Sequence, residues 1–342
     1  MFTVATRRPV LSVRRLRVHY PLKRGRVWPL FGPSGVIKAV DDMHFDLHAG
    51  ETLGIVGESG CGKSTLARAL VGLETPTGGQ ISIDGHNVTG YSDADWRPLR
   101  REVQIVFQDP LASLNPRLSI AQCIAEPLKT LCPEVGANER SARVLEMMQR
   151  VGLDAELKDR YPHEISGGQC QRVGIARALV VRPKVLICDE PVSALDVSVQ
   201  AQIVHLLVDL QREYGLAMLF ISHDLAVVRQ LSHRVMVMYL GKVMEQSARD
   251  ALFEAPQHPY TRALLSAVPD FEALLPGERV ELTGEIPSPS NPPSGCVFRT
   301  RCPLVDHVCA QQVPVLRRVP SGGYSACHFA AYAESPMIPR TA

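Results

Sequence analysis

The sequence predicts an α/β domain built on a largely parallel sheet. Strand-like and helix-like segments alternate over residues 10–250, as expected for parallel strands joined by crossover helices. Short apolar runs at 52–56, 103–107, 185–188, 217–221 and 235–240 are typical of buried strands. A helical pattern follows at 63–71, and apolar residues recur at helical spacing between Val199 and Leu210.

Residues 109–182 differ from this alternation. They are rich in helical pattern and punctuated by Pro and Gly, so we expect a helical subdomain inserted into a sheet domain that covers residues 10–255. Residues 284–293 contain four prolines, which favours a semi-rigid linker. A C-terminal region over residues 256–330 then carries four crowded cysteines, and we expect a small Cys-rich extension there.

The composition narrows the function classes. A chain of 342 residues that is 45% hydrophobic supports a sizeable core, and its formal net charge of +2 creates no global field that demands nucleic acid. No stretch approaches 18 uncharged apolar residues, so we expect no membrane span and a cytosolic location. In that compartment the nine cysteines are expected to be thiols or metal ligands.

Residues 57–65 read GESGCGKST and match the phosphate-binding pattern G-x-x-x-x-G-K-[ST]. Glycines let a loop wrap phosphates with its N–H groups, and the following helix N-terminus attracts anions. A Gly-rich turn without chemistry is disfavoured, because the preceding strand, the spacing and the Lys-Ser pair are all present. The predicted nucleotide contacts are Gly57, Glu58, Ser59, Gly60, Cys61, Gly62, Lys63, Ser64 and Thr65.

A second element follows the apolar run VLIC, which ends in Asp189 and Glu190. Ligands in open α/β sheets lie beyond the carboxyl ends of the strands, so this pair suits the same site. We expect Asp189 and the Ser64 hydroxyl to hold Mg²⁺, and Glu190 to polarise the attacking water. The alternative is an acidic strand end that faces solvent.

The sequence ISGGQ at 165–169, followed by Gln171 and Arg172, resembles the signature motif of ABC ATPases, usually written LSGGQ. It precedes the Asp-Glu pair by about twenty residues, as the signature motif of that family does. Four other positions resemble the family's Q-loop glutamine, D-loop, switch histidine and adenine-stacking aromatic residue. They are Gln108, Asp196 in SALD, His223 in ISHD, and Tyr20.

This resemblance implies a mechanism. Two subunits would dimerise head to tail, with ATP between one phosphate loop and the partner's Ser166, Gly167, Gly168 and Gln169. Glu190 would be the general base and His223 would contact both the γ-phosphate and Glu190. Lys63 and Mg²⁺ would neutralise the developing charge, and Gln108 would link the metal site to the helical subdomain.

Three longer stretches resemble the peptide-importer branch of the family, which includes dipeptide, oligopeptide, nickel and glutathione uptake systems. They are YPHEISGGQCQR, FQDPLASLNPR and HPYTRALL. The insertion between Tyr20 and Lys38 resembles the second of the two ATPase subunits of such importers. The implied partners are two transmembrane permease subunits, a second homologous ATPase and an extracytoplasmic substrate-binding protein, with no nucleic acid. The implied location is peripheral, at the cytoplasmic face of the inner membrane.

Other functions stay open at this stage. The chain could be an ABC ATPase acting on ribosomes or nucleic acid, a cassette that binds ATP without turnover, or the motor of an exporter. The cargo among dipeptides, oligopeptides, nickel chelates and glutathione is not readable from these motifs. Whether the ATPases pair as a homodimer or a heterodimer is equally open.

Cys296, Cys302, Cys309 and Cys327 are separated by five, six and seventeen residues, which is not the spacing of a zinc ribbon. The resemblance to the importer branch implies a [4Fe–4S] cluster on these four cysteines. Zinc, with His307 or His328 replacing one thiol, and four unmetallated thiols are the alternatives. Cys61, inside the phosphate loop, is expected to make the protein sensitive to thiol reagents.

Overall fold

The computed structural model describes residues 8–22, 35–268, 282 and 284–331. Residues 23–34, which hold most of the insertion between Tyr20 and Lys38, lie outside this part of the chain. The strands are β1 Leu11–Pro21, β2 Val36–Leu47, β3 Thr52–Val56, β4 Gly78–Ile83, β5 His86–Asn87, β6 Val103–Val106, β7 Val185–Asp189, β8 Ala217–Ile221, β9 Arg234–Tyr239, β10 Lys242–Ala248, β11 Arg317–Arg318 and β12 Tyr324–Ser325.

The helices flank and interrupt these strands. They are α1 Lys63–Leu70, α2 Asp93–Leu99, α3 Pro110–Ser113, α4 Ile120–Leu131, α5 Ala137–Arg150, α6 Gly167–Leu179, α7 Val197–Tyr214, α8 Leu225–Leu231, α9 Arg249–Glu254, α10 Pro259–Ser266 and α11 His307–Gln311, with 3₁₀ turns at Ala155–Asp159 and Pro162–Glu164.

The main sheet has the strand order β11-β12-β10-β9-β3-β8-β7-β6. Its centre is parallel, because β3 pairs in parallel with β8 and β9, and β7 pairs in parallel with β6 and β8. All five apolar runs predicted as buried strands lie in this parallel part, which confirms the α/β class. Parallel strands have their carboxyl ends at one edge of the sheet, so the loops after β3, β6, β7 and β8 meet there.

A second, four-stranded sheet of order β2-β1-β4-β5 is antiparallel throughout. In β1, Leu16, Val18 and Tyr20 alternate with more polar residues, as in a strand with one buried face. Its inner face carries Leu11, Phe45 and Ile83, which are buried with α1 in one apolar cluster. Burying that face excludes water from both sheets and stabilises the layer that supports the phosphate loop.

The helical insertion consists of α3 to α6 and the two 3₁₀ turns. Ile124 and Leu128 of α4, Met148 of α5, and Val173 and Ile175 of α6 are fully buried together. Ile124 and Leu128 are four positions apart and share one face of α4. Val173 and Ile175 are two positions apart, and α6 is buried on more than one side. Ser119 and Ser166 cap α4 and α6 with reciprocal side-chain bonds to the third helical residue, so both helices begin at defined positions.

Residues 284–331, here called the C-terminal module, pack on the edge of the main sheet. Its β12 strand pairs with β10, with Glu245 opposite Ser325 and Gln246 opposite Tyr324. Its Phe298 is fully buried and meets the Tyr239 ring edge-on, with 5.4 Å between ring centroids. The module is therefore held by strand pairing and shared core contacts, and a metal is not needed to explain how so short a segment is anchored.

We predict that Phe298→Ala lowers the free energy of unfolding by about 3–5 kcal/mol, because it removes a buried ring and leaves a cavity. Urea unfolding followed by circular dichroism measures the change. Val315→Ala is the matched control, since Val315 lies in the same module and is 64% exposed. Equal effects of the two substitutions would contradict the proposed anchoring role of Phe298.

Candidate functional site

The phosphate loop connects β3 to α1 and wraps the start of that helix. Gly62 immediately precedes α1 and has a φ of 106°, a conformation that side chains disfavour. A Cβ at Gly62 would collide with the backbone carbonyl oxygen of Ala39. The loop therefore requires glycine at this position, and the N–H groups of the first turn of α1 are placed to receive an anion.

Lys63 is directed into this loop and is only 4% exposed. Its Nζ donates hydrogen bonds to the carbonyl oxygens of Gly57 at 2.8 Å and Glu58 at 3.1 Å. Two carbonyl acceptors fix the position of the ammonium group without neutralising its charge. The result is an oriented cation beside the α1 N-terminus, suited to a phosphate.

Asp189 ends β7 and is buried beside Ser64. The Ser64 Oγ donates a hydrogen bond of 3.0 Å to Asp189 Oδ1. Burial raises the pKa of Asp189, and the bond from Ser64 opposes that shift. A hydroxyl and a carboxylate oxygen side by side form a donor set of the kind that Mg²⁺ prefers, and a bound cation would favour the ionised carboxylate.

The carboxylate of Glu190 lies where the loops after the parallel strands meet. Gln108 Nε2 donates to Glu190 Oε2 at 3.2 Å, and His223 Nδ1 lies 3.4 Å from the same oxygen. Lys63 Nζ is 3.9 Å from the other oxygen, Oε1. Glu190 has a φ of 48°, an uncommon backbone conformation for a residue with a side chain. Three predicted site residues thus converge on the carboxyl group of a fourth.

A pocket of about 240 Å³ opens in front of these groups. The predicted residues that line it are Ser59, Gly60, Gly62, Lys63, Ser64, Thr65, Gln108 and Glu190. Sequence reasoning missed the other lining residues, which are Ile37, Lys38, Ala39, Leu240, Gly241 and Pro289. These belong to β2, to the turn after β9 and to the proline-rich linker, and no local motif marks them.

Tyr20 lies on β1 beside the phosphate loop but does not line this pocket. Its hydroxyl interacts with Thr65 and Glu74, and burial raises its pKa. Gly57, Glu58 and Cys61 belong to the loop and also face away from the pocket. The structure therefore places these predicted contacts next to the nucleotide pocket without bringing them into it.

The signature segment lies elsewhere on the surface. Ser166 caps α6, accepting from Gln169 N at 3.3 Å and donating its own N–H to Gln169 Oε1 at 2.9 Å. Ser166 and Gly167 are exposed, and Gly168 and Gln169 are half-buried. Asp196, which precedes α7, is exposed as well. None of these residues lines the pocket of the same chain.

Two family matches cover most of this fold. Residues 40–193 match the ABC transporter family, and residues 244–309 match the oligopeptide/dipeptide transporter C-terminal region. The oligopeptide transport ATP-binding protein OppF of Salmonella typhimurium is 53% identical over 318 residues, which are 92% of this chain and 94% of that protein. The oligopeptide transport ATP-binding protein AppF of Bacillus subtilis is 49% identical over 330 residues, with 95% and 99% covered.

The chain belongs to the ABC transporter family. Solved structures agree with this assignment. A dimeric ATP-binding cassette in a post-hydrolysis state with ADP and Pi has a TM-score of 0.62 and 29% identity, and covers 70% of this chain and 98% of its own. The cbiO1 protein of Clostridium perfringens, part of an ABC transporter complex, has a TM-score of 0.61 and 32% identity, with 72% and 91% covered. The resemblance inferred from the motifs is confirmed, and the protein is an ABC ATPase.

Residues 8–22, 35–268, 282 and 284–331 contain no helix with the length and apolar character that a bilayer crossing requires.

The four late cysteines of this ABC ATPase do not form an evident metal site. In the described part of the chain, no group of three or more His, Cys, Asp or Glu side chains is placed to hold a metal ion. All nine cysteines lie in that part, and no disulfide joins any two of them. Burial raises the pKa of Cys296 to about 11 and of Cys302 to about 12, so both thiols are protonated at neutral pH.

Cys61 is only 4% exposed, which limits the access of thiol reagents to its sulfur. It is buried under the phosphate loop, and burial raises its pKa, with the Lys63 ammonium opposing the shift. Fewer thiolates form at neutral pH than in an exposed cysteine, because desolvation disfavours the charged form. The expected sensitivity to thiol reagents through Cys61 therefore has no structural basis.

We predict that iodoacetamide at pH 7.5 labels Cys61 in the folded protein at least about tenfold more slowly than in urea-denatured protein, because both access and thiolate fraction are reduced. Peptide mapping by mass spectrometry measures both rates on the same residue. Similar rates in the two states would show that the loop exposes Cys61.

Proposed function

We propose that this chain binds ATP and Mg²⁺ at the phosphate loop and hydrolyses the nucleotide to power peptide import through membrane-embedded partners. The single observation that carries the proposal is the convergence of Lys63, Gln108 and His223 on the Glu190 carboxylate. The relatives bear the names of oligopeptide and dipeptide transport ATP-binding proteins, which supports a peptide as the cargo.

The residues divide the chemistry among them. The N–H groups of the loop and Lys63 bind the phosphates, and Ser64 and Asp189, with Gln108, would hold Mg²⁺, which neutralises phosphate charge when bound. Glu190 accepts the proton of the attacking water. Gln108 and His223 contact Glu190 Oε2 and so orient the carboxylate for that proton transfer. The His223 side chain is 60% exposed, so the γ-phosphate of a bound nucleotide can reach it.

The pocket is half of a complete site. The capping bonds engage the N–H groups of Ser166 and Gln169, which leaves those of Gly167 and Gly168 at the start of α6, a helix long enough to present a positive end. Val197, beside Asp196, is 83% exposed, so the start of α7 is accessible to a partner subunit. These features support a head-to-tail dimer in which a second ATPase subunit closes over the nucleotide.

The partners follow from this role. Two permease subunits would form the membrane path, and a second homologous ATPase would complete the two nucleotide sites. An extracytoplasmic binding protein would select the cargo, so this chain needs no cargo site of its own. We place it peripherally at the cytoplasmic face of the inner membrane. The relatives are transport subunits and give no support to a ribosomal or nucleic-acid role.

An iron–sulfur cluster or zinc on Cys296, Cys302, Cys309 and Cys327 stays a prediction. Its support is that these thiols are close enough to raise one another's pKa values. Their present arrangement does not fit a metal site, so no step of the mechanism is assigned to one. Iron and zinc analysis of anaerobically purified protein tests the prediction. Iron in cluster stoichiometry would support it, and a protein with neither metal would end it.

For the catalytic proposal, we predict that Glu190→Gln lowers the ATP turnover of the assembled transporter at least about 100-fold and abolishes uptake of labelled peptide. ATP binding should persist, because the phosphate contacts are unchanged. Initial rates of phosphate release and a filter-binding assay measure the two properties. Glu139→Gln, an exposed carboxylate on α5, is the control. Full turnover by Glu190→Gln would remove Glu190 as the base, and uptake of labelled peptide that does not require this chain would refute the cargo.

A further inference from the structure

Glu58, the second residue of the phosphate loop, turns its carboxylate away from the nucleotide pocket and toward the C-terminal module. Arg301 of that module donates from Nη1 to Glu58 Oε2 at 2.7 Å and from Nη2 to Oε1 at 3.0 Å. The Arg301 side chain is only 5% exposed. This two-pronged geometry is the strong and directional form of an ion pair, and it fixes the plane of the carboxylate.

The main chain of Glu58 is held from the same side. Tyr260 of α10 is fully buried, and its Oη accepts a hydrogen bond from Glu58 N at 3.0 Å. The same hydroxyl donates to Glu58 Oε2 at 3.3 Å. Tyr239 supports the arrangement, since its ring lies 5.9 Å from the Arg301 guanidinium carbon. Both the peptide and the side chain of Glu58 are therefore fixed by residues that follow the last parallel strand.

Glu58 also contacts Lys63, the lysine of the phosphate loop. Its carbonyl oxygen accepts a hydrogen bond from Lys63 Nζ at 3.1 Å, beside the bond to Gly57 O. Tyr260 holds the N–H of the Gly57–Glu58 peptide, and the carbonyl oxygen of that same peptide is Gly57 O. Rotating this peptide would therefore move one of the two acceptors that orient the ammonium group. The contacts thus run without interruption from Arg301 and Tyr260 through Glu58 to Lys63.

The linker adds a second contact between the module and the loop. A cavity of about 250 Å³ lies between them, lined on one side by Glu58, Ser59 and Gly60 and on the other by Ile286, Pro287, Ser288 and Pro289. Pro289 also lines the nucleotide pocket. The module therefore borders the phosphate loop on its outer side as well as through Arg301.

We infer that Arg301 and Tyr260 are positioning residues for ATP hydrolysis, and that the C-terminal module sets the conformation of the phosphate loop through Glu58. This inference rests on the proposed binding of ATP at that loop. When Arg301 is absent, the partly buried Glu58 carboxylate, 22% exposed, is left without its counter-charge next to the phosphate site. It would then repel the nucleotide and release the Glu58 peptide from its fixed orientation.

Arg301→Met in the full-length chain, assembled in the transporter, tests the inference. We expect the KM for ATP to rise about tenfold or more, because the buried partner of a partly buried ion pair has been removed. Adding Glu58→Gln should recover most of the loss, since it removes the uncompensated charge. Arg301→Lys should give an intermediate KM, because it keeps the charge and loses the two-pronged geometry. Arg299→Met is the control, because Arg299 lies in the same module and, among the residues that the structure describes, its side chain bonds to Ser294 O and Oγ.

The outcomes distinguish a failure of the proposed ATPase function from a failure of the positioning role of Arg301. If wild type neither binds nor hydrolyses ATP, the proposed function fails. If wild type is active and Arg301→Met has an unchanged KM, the positioning role fails while the function stands. A loss in Arg301→Met that Glu58→Gln does not recover would show a merely structural role for Arg301. Thermal unfolding without nucleotide identifies any variant that is simply unfolded. If Arg301→Met is unfolded, the KM of Arg301→Lys tests the positioning role: a raised KM supports it and an unchanged KM contradicts it.

Discussion

The nucleotide site is organised around the Glu190 carboxylate and the three groups that contact it. Glu190 follows β7, Lys63 follows β3, Gln108 follows β6 and His223 follows β8. These four strands are neighbours in the order β3-β8-β7-β6 and run in parallel. The parallel arrangement is what delivers four segments distant in sequence to one edge. A reversed strand would send its loop to the opposite edge and remove one member of the group.

The sequence allowed this edge to be predicted because its chemistry is local. Each functional residue follows a short apolar run, and the Gly-rich loop has a pattern that few other structures require. The antiparallel sheet was mostly missed. The β4 strand begins with two glycines, and only part of β2 alternates clearly. The apolar and backbone walls of the pocket were missed for a different reason. Ile37, Leu240 and Pro289 approach it from three separate segments, and no motif records such a meeting.

The pair of Glu58 and Arg301 shows most clearly which contacts cannot be predicted from the sequence. The two residues are 243 positions apart, and each looks ordinary in its own context. The crowded cysteines attracted the functional interpretation of the C-terminal region, while the contact with the catalytic loop comes from an arginine between two of them. Strand pairing at β10 and the Tyr239–Phe298 contact hold the module in place, so its cysteines need not be its main source of stability. The module is better understood as part of the wall and support of the phosphate site.

We propose that this chain supplies half of each nucleotide site and that a second ATPase subunit supplies the other half. The most direct measurement places a photo-reactive amino acid at Ser166 in the Glu190→Gln background, in native membranes, and maps the cross-linked peptides by mass spectrometry. With the proposed head-to-tail dimer, we expect an ATP-dependent cross-link to the phosphate-loop peptide of an ATPase subunit. Cross-links that form equally without ATP, or that map away from any phosphate loop, would contradict it.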